Sequence, residues 1–160
     1  MGCTMKRFGR LALPVLALPL IAQADVAIEA GRWEERFVPS RVLLDGTPLA
    51  PDMVAKMAQT RARCVTPERA KDPLSFILSR EVGCAAPQVT GGAAGFTIRA
   101  QCAATSDEGP RDLAAQGNWT RDTYRMTMTA SGPAGDHQLA VEATIDGSRA
   151  GACRGDEDPD

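Results

Sequence analysis

Few side chains in this sequence are suited to acid–base or nucleophilic chemistry. The single histidine, His137, follows Asp136 directly in a segment of turn composition. A serine or cysteine hydrolase needs a third group that orients its histidine across space, whereas neighbours on an extended chain point to opposite faces. We therefore interpret His137 as a solvated turn residue. With no second histidine in the sequence as a metal partner, we predict no catalytic, cofactor-binding or metal-binding residues.

A pair of carboxylates is the remaining arrangement with a chemical use. Glycosidases need two carboxylates about 5–9 Å apart. On a strand, Glu29, Trp33 and Glu35 would share one face, while Glu34 would point to the other. One hypothesis is therefore a carboxylate-dependent envelope hydrolase. The plainer hypothesis is an edge strand that is protected by its charges and places Trp33 in the core.

The start of the chain predicts export. Residues 1–24 contain three basic residues, an apolar run of eleven residues and a final Ala-Gln-Ala site, which together are typical of a secretory signal peptide. The apolar run is shorter than the ~20 residues that cross a membrane. We expect cleavage after Ala24, a periplasmic mature protein and no stable membrane insertion after processing.

Removal of that segment leaves 136 residues, which is the size of one domain. Fifteen basic residues then stand against twenty acidic ones, a formal charge of −5 with no basic cluster, so nucleic acid is not an expected partner. We predict a single β-rich domain over residues 25–153. The acidic residues 154–160 are predicted to form a disordered, solvated tail.

Four cysteines remain after cleavage: Cys64, Cys84, Cys102 and Cys153. An even number in a small exported domain indicates a disulfide framework, here with three possible connectivities. If residues 84–102 form a hairpin centred near Ala93, facing residues have numbers that sum to 186, as Cys84 and Cys102 do. We therefore favour a Cys84–Cys102 bond, which leaves Cys64 to pair with Cys153.

Alternation of apolar and polar residues predicts strands in the second half of the chain. Apolar side chains recur at every second position within residues 96–102, 113–119, 124–128 and 139–145, and residues of turn composition separate or follow these runs, including residues 146–147. This period with one polar face is typical of half-buried antiparallel strands. The predicted fold is mainly β, a twisted antiparallel meander of about six to eight strands that could curl into a half-open barrel.

The first half of the mature chain predicts a strand over residues 28–38 and one or two short helices. Residues 51–57 have the composition of a short helix. Thr66 and Pro67, followed by an acidic residue, indicate a second helix start, because threonine is a good N-cap and proline suits the first helical position. Residues 74–78 could form another helical turn.

Several landmarks occur in order along the mature chain. They are Gly31-x-Trp33-Glu34, Cys64-x-Thr66-Pro67-Glu68, Cys84 and Cys102 on either side of a Gly-Gly turn, Gly117, Tyr124 and Gly151-x-Cys153. In this combination the chain resembles the domain of unknown function 3617, a family of small exported proteobacterial proteins. The resemblance implies an envelope location and a β-rich fold, and it brings no established activity. The acidic tail and the helix-like residues 53–57 depart from the family pattern.

These observations favour a non-enzymatic binding or envelope-interaction module whose partner is another envelope protein. The first alternative is a carrier of a small apolar ligand, held in a cavity lined by Trp33, Phe96, Met126 and Met128. The second alternative is the carboxylate-dependent hydrolase.

Two methionines bear on the choice between these functions. Met53 and Met57 lie one helical turn apart if residues 51–57 are a helix. They would either cover the sheet or form an adaptable contact surface, for which methionine is well suited.

Overall fold

The computed structural model describes residues 27–78, 87–103 and 111–157. The predicted signal peptide, its cleavage site and Cys84 lie outside these residues. The described elements, in chain order, are β1 (Gly31–Leu44), β2 (Thr47–Pro48), α1 (Pro51–Lys56), β3 (Gln59–Val65), a 3-10 helix (Arg69–Lys71), α2 (Pro73–Leu78), β4 (Gln88–Gly92), β5 (Gly95–Cys102), β6 (Arg111–Trp119), β7 (Thr123–Ala134) and β8 (His137–Gly151). Among them, no helix is long and apolar enough to cross a membrane.

The described strands form one open antiparallel sheet. Its order is β2-β1-β8-β7-β6-β5-β4, and β3 pairs with β1 on the same side as β2. Strands β4 to β8 form the predicted meander, in which each strand pairs with the next. The last strand returns to pair with β1. The prediction of a mainly β antiparallel fold with two short helices is therefore confirmed.

Strand β1 is longer than predicted and is not an edge strand. It covers Gly31–Leu44, whereas the sequence predicted residues 28–38. It has β8 on one side and β3 on the other, so the edge-strand hypothesis is wrong. The pairing of β1 with β3 was not predicted, because β3 has arginines on its inner face at positions where a half-buried strand normally carries apolar residues.

A β-bulge in β1 keeps its apolar residues on one face. The pairing with β8 shifts between Pro39 and Arg41, which leaves Ser40 as an extra residue. Side chains alternate along a strand, so without the extra residue Val42 would point to the same side as Glu34. With it, Val42 is 1% exposed.

The two faces of the sheet differ in cover and in composition. One face, which we refer to as the covered face, packs against residues from outside the sheet, namely Ile28, Ala70, Phe76 and Ile77. The strand residues in the same core cluster are Trp33, Val65, Phe96, Ile98, Ala115, Trp119, Tyr124, Met126 and Ile145. The opposite face, referred to as the open face, is rich in threonine and charged residues.

The helix predicted to start at Thr66 is only a three-residue 3-10 helix, Arg69–Lys71, and the turn predicted over residues 74–78 belongs to α2. Thr66 Oγ1 accepts a hydrogen bond from the backbone N–H of Arg69 at 3.3 Å, and Pro67 and Glu68 form the turn that leads into the 3-10 helix. Helix α2 then begins at Pro73, the helix position that tolerates proline best.

The hairpin of β4 and β5 differs from the predicted register by one residue. Gly92 pairs with Gly95, and Gln88 pairs with Arg99, so the numbers of facing residues sum to 187 and the predicted sum of 186 is wrong. The reason is a two-residue turn at Ala93 and Ala94, where the prediction placed one central residue. The ladder begins at Gln88 and therefore does not test the position of residue 84.

Candidate functional site

Charged side chains are buried in the covered face. Glu35 on β1 and Arg63 on β3 are only 1% and 3% exposed. Strand alternation turns Glu35 to the same face as Trp33, and the β1–β3 register places Arg61 opposite Glu35. Tyr124, on β7, is also buried. We refer to Glu35, Arg61, Arg63 and Tyr124 as the buried charge cluster.

Both carboxylate oxygens of Glu35 accept hydrogen bonds within this cluster. Arg63 Nη1 donates to Oε1 at 3.0 Å, and Arg61 Nε donates to Oε2 at 3.1 Å. The Tyr124 hydroxyl also donates a hydrogen bond to Oε1. Arg63 Nη2 also donates to the carbonyl oxygen of Phe76 at 3.1 Å. An unpaired charge in this position would be strongly destabilising, so the pairing explains how Glu35 can be buried.

Aromatic rings surround the cluster. The ring centroids of Trp33, Phe76 and Tyr124 lie 5.9 to 6.1 Å from one another. The guanidinium carbon of Arg63 lies 4.2 Å from the Phe76 centroid, within the range of a cation–π interaction. The Trp33 indole N–H donates to the Glu29 carbonyl oxygen at 2.9 Å, which holds the largest ring in place.

A glycine makes room for the tyrosine of the cluster. Gly147 lies on β8, between Glu35 of β1 and Tyr124 of β7 in the register. A Cβ added at Gly147 would overlap the Tyr124 ring. The ring therefore crosses β8 where a side chain is missing, and its hydroxyl reaches Glu35. Residues 146–147 were predicted to form a turn, and this prediction is wrong because β8 continues to Gly151.

The geometry of the cluster is that of an internal ion pair. Both oxygens of Glu35 are occupied, and the side chain is buried. Glu29, the second carboxylate of the hydrolase hypothesis, lies nearer the surface with its Oε1 3.6 Å from Arg149 Nη2. Each acid thus has its own arginine partner, and the described residues bring no third His, Cys, Asp or Glu together with two others in a group able to hold a metal ion.

Two predicted landmark glycines meet at the start of β1. Gly31 and Gly151 have φ angles of 135° and 119°, which side chains rarely adopt. A Cβ at Gly31 would overlap the carbonyl oxygen of Gly151. Glu34, which follows Trp33 in the same landmark, points to the open face and is exposed.

The predicted Cys64–Cys153 disulfide is confirmed, with a Cα–Cα distance of 5.5 Å. It joins β3 to the segment that follows β8, and these elements flank the start of β1. Cys102 is buried and is also disulfide-bonded. Because Cys84 lies outside the described residues, its pairing with Cys102 stays a prediction.

The first residues of the predicted acidic tail are bound to the domain. Arg32 Nη1 donates to Asp156 Oδ1 at 2.6 Å and to Glu157 Oε1 at 3.1 Å. Glu157 also accepts hydrogen bonds from the backbone N–H groups of Arg154 and Gly155 at 2.7 and 2.8 Å. The Arg154 bond is the largest of the effects that lower the pKa of Glu157 to about 2.

A family model described as "Protein of unknown function (DUF3617)" matches residues 28–153, which include the buried charge cluster and the Cys64–Cys153 disulfide. The chain belongs to this family. No curated protein and no solved structure matches it. The predicted DUF3617 membership is thus confirmed, and the family assigns no activity to the cluster.

The single histidine of this DUF3617 protein has an acidic partner that the sequence did not reveal. His137 Nδ1 lies 2.6 Å from Asp45 Oδ2, and both side chains are about half exposed. The backbone N–H of Gln138 donates to Asp45 Oδ1 at 2.8 Å, and this bond, followed by the one to His137, lowers the pKa of Asp45. The pair joins the turn after β1 to the start of β8.

Helix α1 and the residue that follows it present two methionines to solvent, Met53 in the helix and Met57 at its C-cap. Met53 and Met57 are 51% and 37% exposed, so a substantial part of each side chain is accessible from solvent. The helix is anchored instead by Val54, which is 7% exposed. Met53 and Met57 are the exposed large apolar side chains in the described part of the chain, and we refer to them as the methionine surface.

The open face contains a shallow hollow of about 340 Å³ that crosses strands β5 to β8. It differs from an apolar ligand cavity, since polar side chains dominate its lining. We refer to it as the threonine hollow, and its polar lining residues are Ser40, Thr97, Arg99, Gln116, Thr127, Thr129, Glu142 and Thr144.

Proposed function

We propose that this DUF3617 protein is an exported, non-enzymatic module that binds another protein of the cell envelope through the methionine surface. The observation that carries the proposal is the pair of exposed methionines in α1 and at its C-cap. Single exposed apolar residues are common on soluble proteins, but two neighbouring long apolar side chains on one helix face supply the adaptable contact that methionine-rich binding surfaces use.

The anchoring of α1 supports this proposal. Val54 holds the helix on the sheet, and Pro51 begins it, so Met53 and Met57 are presented on an element with a defined position. A docked helix of this kind loses little conformational freedom when a partner binds, which favours association.

The covered face gives less support to a carrier of an apolar ligand. Of the four side chains expected to line a cavity, Trp33, Phe96 and Met126 belong to the buried core cluster, and Met128 packs against it. The hollows that the described residues form along the open face are lined in part by its polar side chains.

The hydrolase alternative has a similar difficulty. A general acid or nucleophile must reach its substrate. Glu35 is enclosed by rings and arginines, and Glu29 pairs with Arg149. We therefore prefer binding to catalysis.

Export is part of the proposal. It is supported by the composition of residues 1–24 and is compatible with the Cys64–Cys153 disulfide, since such bonds persist in oxidising compartments. Cell fractionation followed by intact-mass analysis tests it. A periplasmic chain that begins at Asp25 is expected, and a full-length cytoplasmic chain with free thiols would contradict it.

Site-specific photo-crosslinking tests the binding surface. A photoreactive amino acid is placed at Met57 in the full-length chain, expressed in its own host. We expect one discrete adduct with an envelope protein, and we expect the additional substitution Met53→Glu to remove it, because a charge on the contact surface opposes desolvation.

The control position is Thr90 on β4, which is also exposed and lies at the opposite edge of the sheet. No adduct is expected there. The same adducts at both positions, or no adduct at Met57, would contradict the methionine surface as a binding site.

A further inference from the structure

The open face has a row of neutral polar side chains that runs across four strands. Thr97 of β5 faces Gln116 of β6, Gln116 faces Thr127 of β7, and Thr127 faces Thr144 of β8. Neighbouring strands lie ~4.8 Å apart, so these four side chains form a continuous bed of hydrogen-bonding groups. This bed is the floor of the threonine hollow.

Polar groups at the rim of the hollow, including Glu142, the one acidic residue of its lining, are paired with one another. Arg41 Nη1 lies 3.5 Å from Glu142 Oε1, and Arg125 Nε lies 3.4 Å from Asp146 Oδ1. A third pair joins β5 to β6, where Gln101 Nε2 donates a hydrogen bond to Asp112 Oδ1 at 3.2 Å. These contacts satisfy the charges at the border of the face.

The side chains on the floor of the hollow are not paired in this way. Within residues 27–78, 87–103 and 111–157, the side chains of Thr97, Gln116 and Thr127 have no hydrogen-bond partner in the protein. Arg99 is the one basic residue of the lining, and among those same residues it has no ion-pair partner. The hollow thus combines an unpaired cation with a row of free donors and acceptors.

We propose that the threonine hollow binds a small carboxylate that carries several hydroxyl groups, of the chemical class of the sugar acids. Arg99 would hold the carboxylate, because the guanidinium fork matches the geometry of two carboxylate oxygens. The threonine and glutamine row would bind the hydroxyl groups, since each of its side chains can both donate and accept.

The lining disfavours other ligand classes. A single cation is too little for nucleic acid, whose binding depends on several phosphate contacts. The polar floor offers little contact to an apolar ligand, and the lining includes no aromatic ring on which a neutral sugar could stack. The volume of about 340 Å³ lies within the usual range of small-molecule sites, roughly 300–1,000 Å³.

Isothermal titration of the mature protein with three probes tests this site. Glucuronate combines a carboxylate with hydroxyl groups, glucose lacks the carboxylate, and acetate lacks the hydroxyl groups. We expect glucuronate to bind at least ~10-fold more tightly than either of the others. Equal binding of acetate and glucuronate, or no binding of glucuronate, would overturn the proposal.

Substitutions then test which residues of the hollow bind glucuronate. Arg99→Gln should weaken glucuronate binding ~10-fold or more, while Arg36→Gln, an exposed arginine on the same face outside the hollow, should leave it unchanged. Thr127→Val keeps the shape and the β preference of threonine and should weaken binding ~3- to 10-fold. Circular dichroism checks that each variant is folded. Unchanged affinity in the Arg99 variant would reject the assignment.

A short polymer distinguishes the source of the ligand. Tetragalacturonate presents the same chemistry within a chain, and tighter binding than the monomer would indicate a segment of an acidic polysaccharide. Because the methionine surface is not part of the hollow, Met53→Glu should not change glucuronate affinity. The failure of this proposal and the failure of the proposed protein contact are thus separate results.

Discussion

The covered face and the open face are built from the same strands, yet they treat polar side chains in opposite ways. On the covered face, Glu35 is 1% exposed and each of its oxygens is hydrogen-bonded. On the open face, Thr97, Thr127 and Arg99 are exposed to solvent. Polar groups must be paired where water is excluded, whereas groups left to water remain available to a ligand.

This difference indicates which polar residues maintain the fold and which can carry function. Substitution of a buried partner leaves an uncompensated charge, so its main effect is on stability. Substitution of an exposed polar residue changes stability by ~0.5 kcal/mol or less, so a loss of binding there can be interpreted directly. Four experiments test this contrast, in order of decreasing expected effect.

The largest effect is expected at the buried carboxylate. Glu35→Gln removes the anion that compensates Arg63 and should reduce the free energy of unfolding by about 3–5 kcal/mol, measured by urea denaturation. The control is Glu34→Gln, one residue away on the open face, which should cost less than ~0.5 kcal/mol. Similar losses in the free energy of unfolding for the two variants would contradict the distinction between buried, paired and exposed polar residues.

The second largest loss of stability is expected when the Cys64–Cys153 disulfide near the start of β1 is removed. The double variant Cys64→Ala, Cys153→Ala opens a link between residues 89 positions apart. We expect a loss of about 2–4 kcal/mol, because the unfolded chain gains conformational freedom. The comparison is with the wild type in the same denaturant, without reductant. A loss below ~1 kcal/mol would show that the paired strands hold this end without the disulfide.

A smaller effect is expected from one added methyl group. Gly147→Ala would overlap the Tyr124 ring, so the tyrosine must move and lose its hydrogen bond to Glu35. The expected cost is about 1–3 kcal/mol, measured as the shift in the denaturation midpoint. Gly95→Ala is the matched control, since a Cβ there meets nothing within 4 Å. An unchanged midpoint for Gly147→Ala would contradict the packing of Tyr124 across β8.

The smallest effect should appear only in acid. The pKa of Glu157 is lowered from 4.5 to about 2 by hydrogen bonds from Arg154 and Gly155 and by Arg32. A carboxylate with a lowered pKa stabilises the fold above pH 4.5, and this contribution is lost as the pH falls through about 2. The stability difference between the wild type and Glu157→Gln should therefore be constant above pH 5 and shrink below it. Amide exchange at Arg154 gives a local readout, and a difference independent of pH would contradict it.

Much of the sheet could be predicted because its second half repeats a simple pattern. Residues 96–102, 113–119 and 124–128 alternate between apolar and polar side chains, and consecutive strands joined by short turns pair with each other. A local pattern of this kind also gave one wrong prediction, the turn at Asp146 and Gly147. Asp and Gly together are typical of a turn, and the sequence does not show that a tyrosine on the next strand needs the space.

The buried charge cluster was beyond prediction for a related reason. Glu35 and Arg63 are 28 positions apart, on strands that pair only after α1 has reversed the chain. Arginine and glutamate are rarely buried unless paired, so a charged position by itself predicts exposure. Only the β1–β3 register shows that the two charges meet.

The sequence by itself determined the antiparallel β fold and the family, because alternation and landmark order are local or countable properties. It favoured the Cys64–Cys153 pairing through a hairpin register that is shifted by one residue in the structure, so the tertiary structure established that bond. The tertiary structure decided which charges are buried, which methionines are exposed and which polar residues share the threonine hollow. These properties depend on strand register and on what covers each face. A shift by one residue would exchange the two faces, and the register is selected by the packing of the whole sheet.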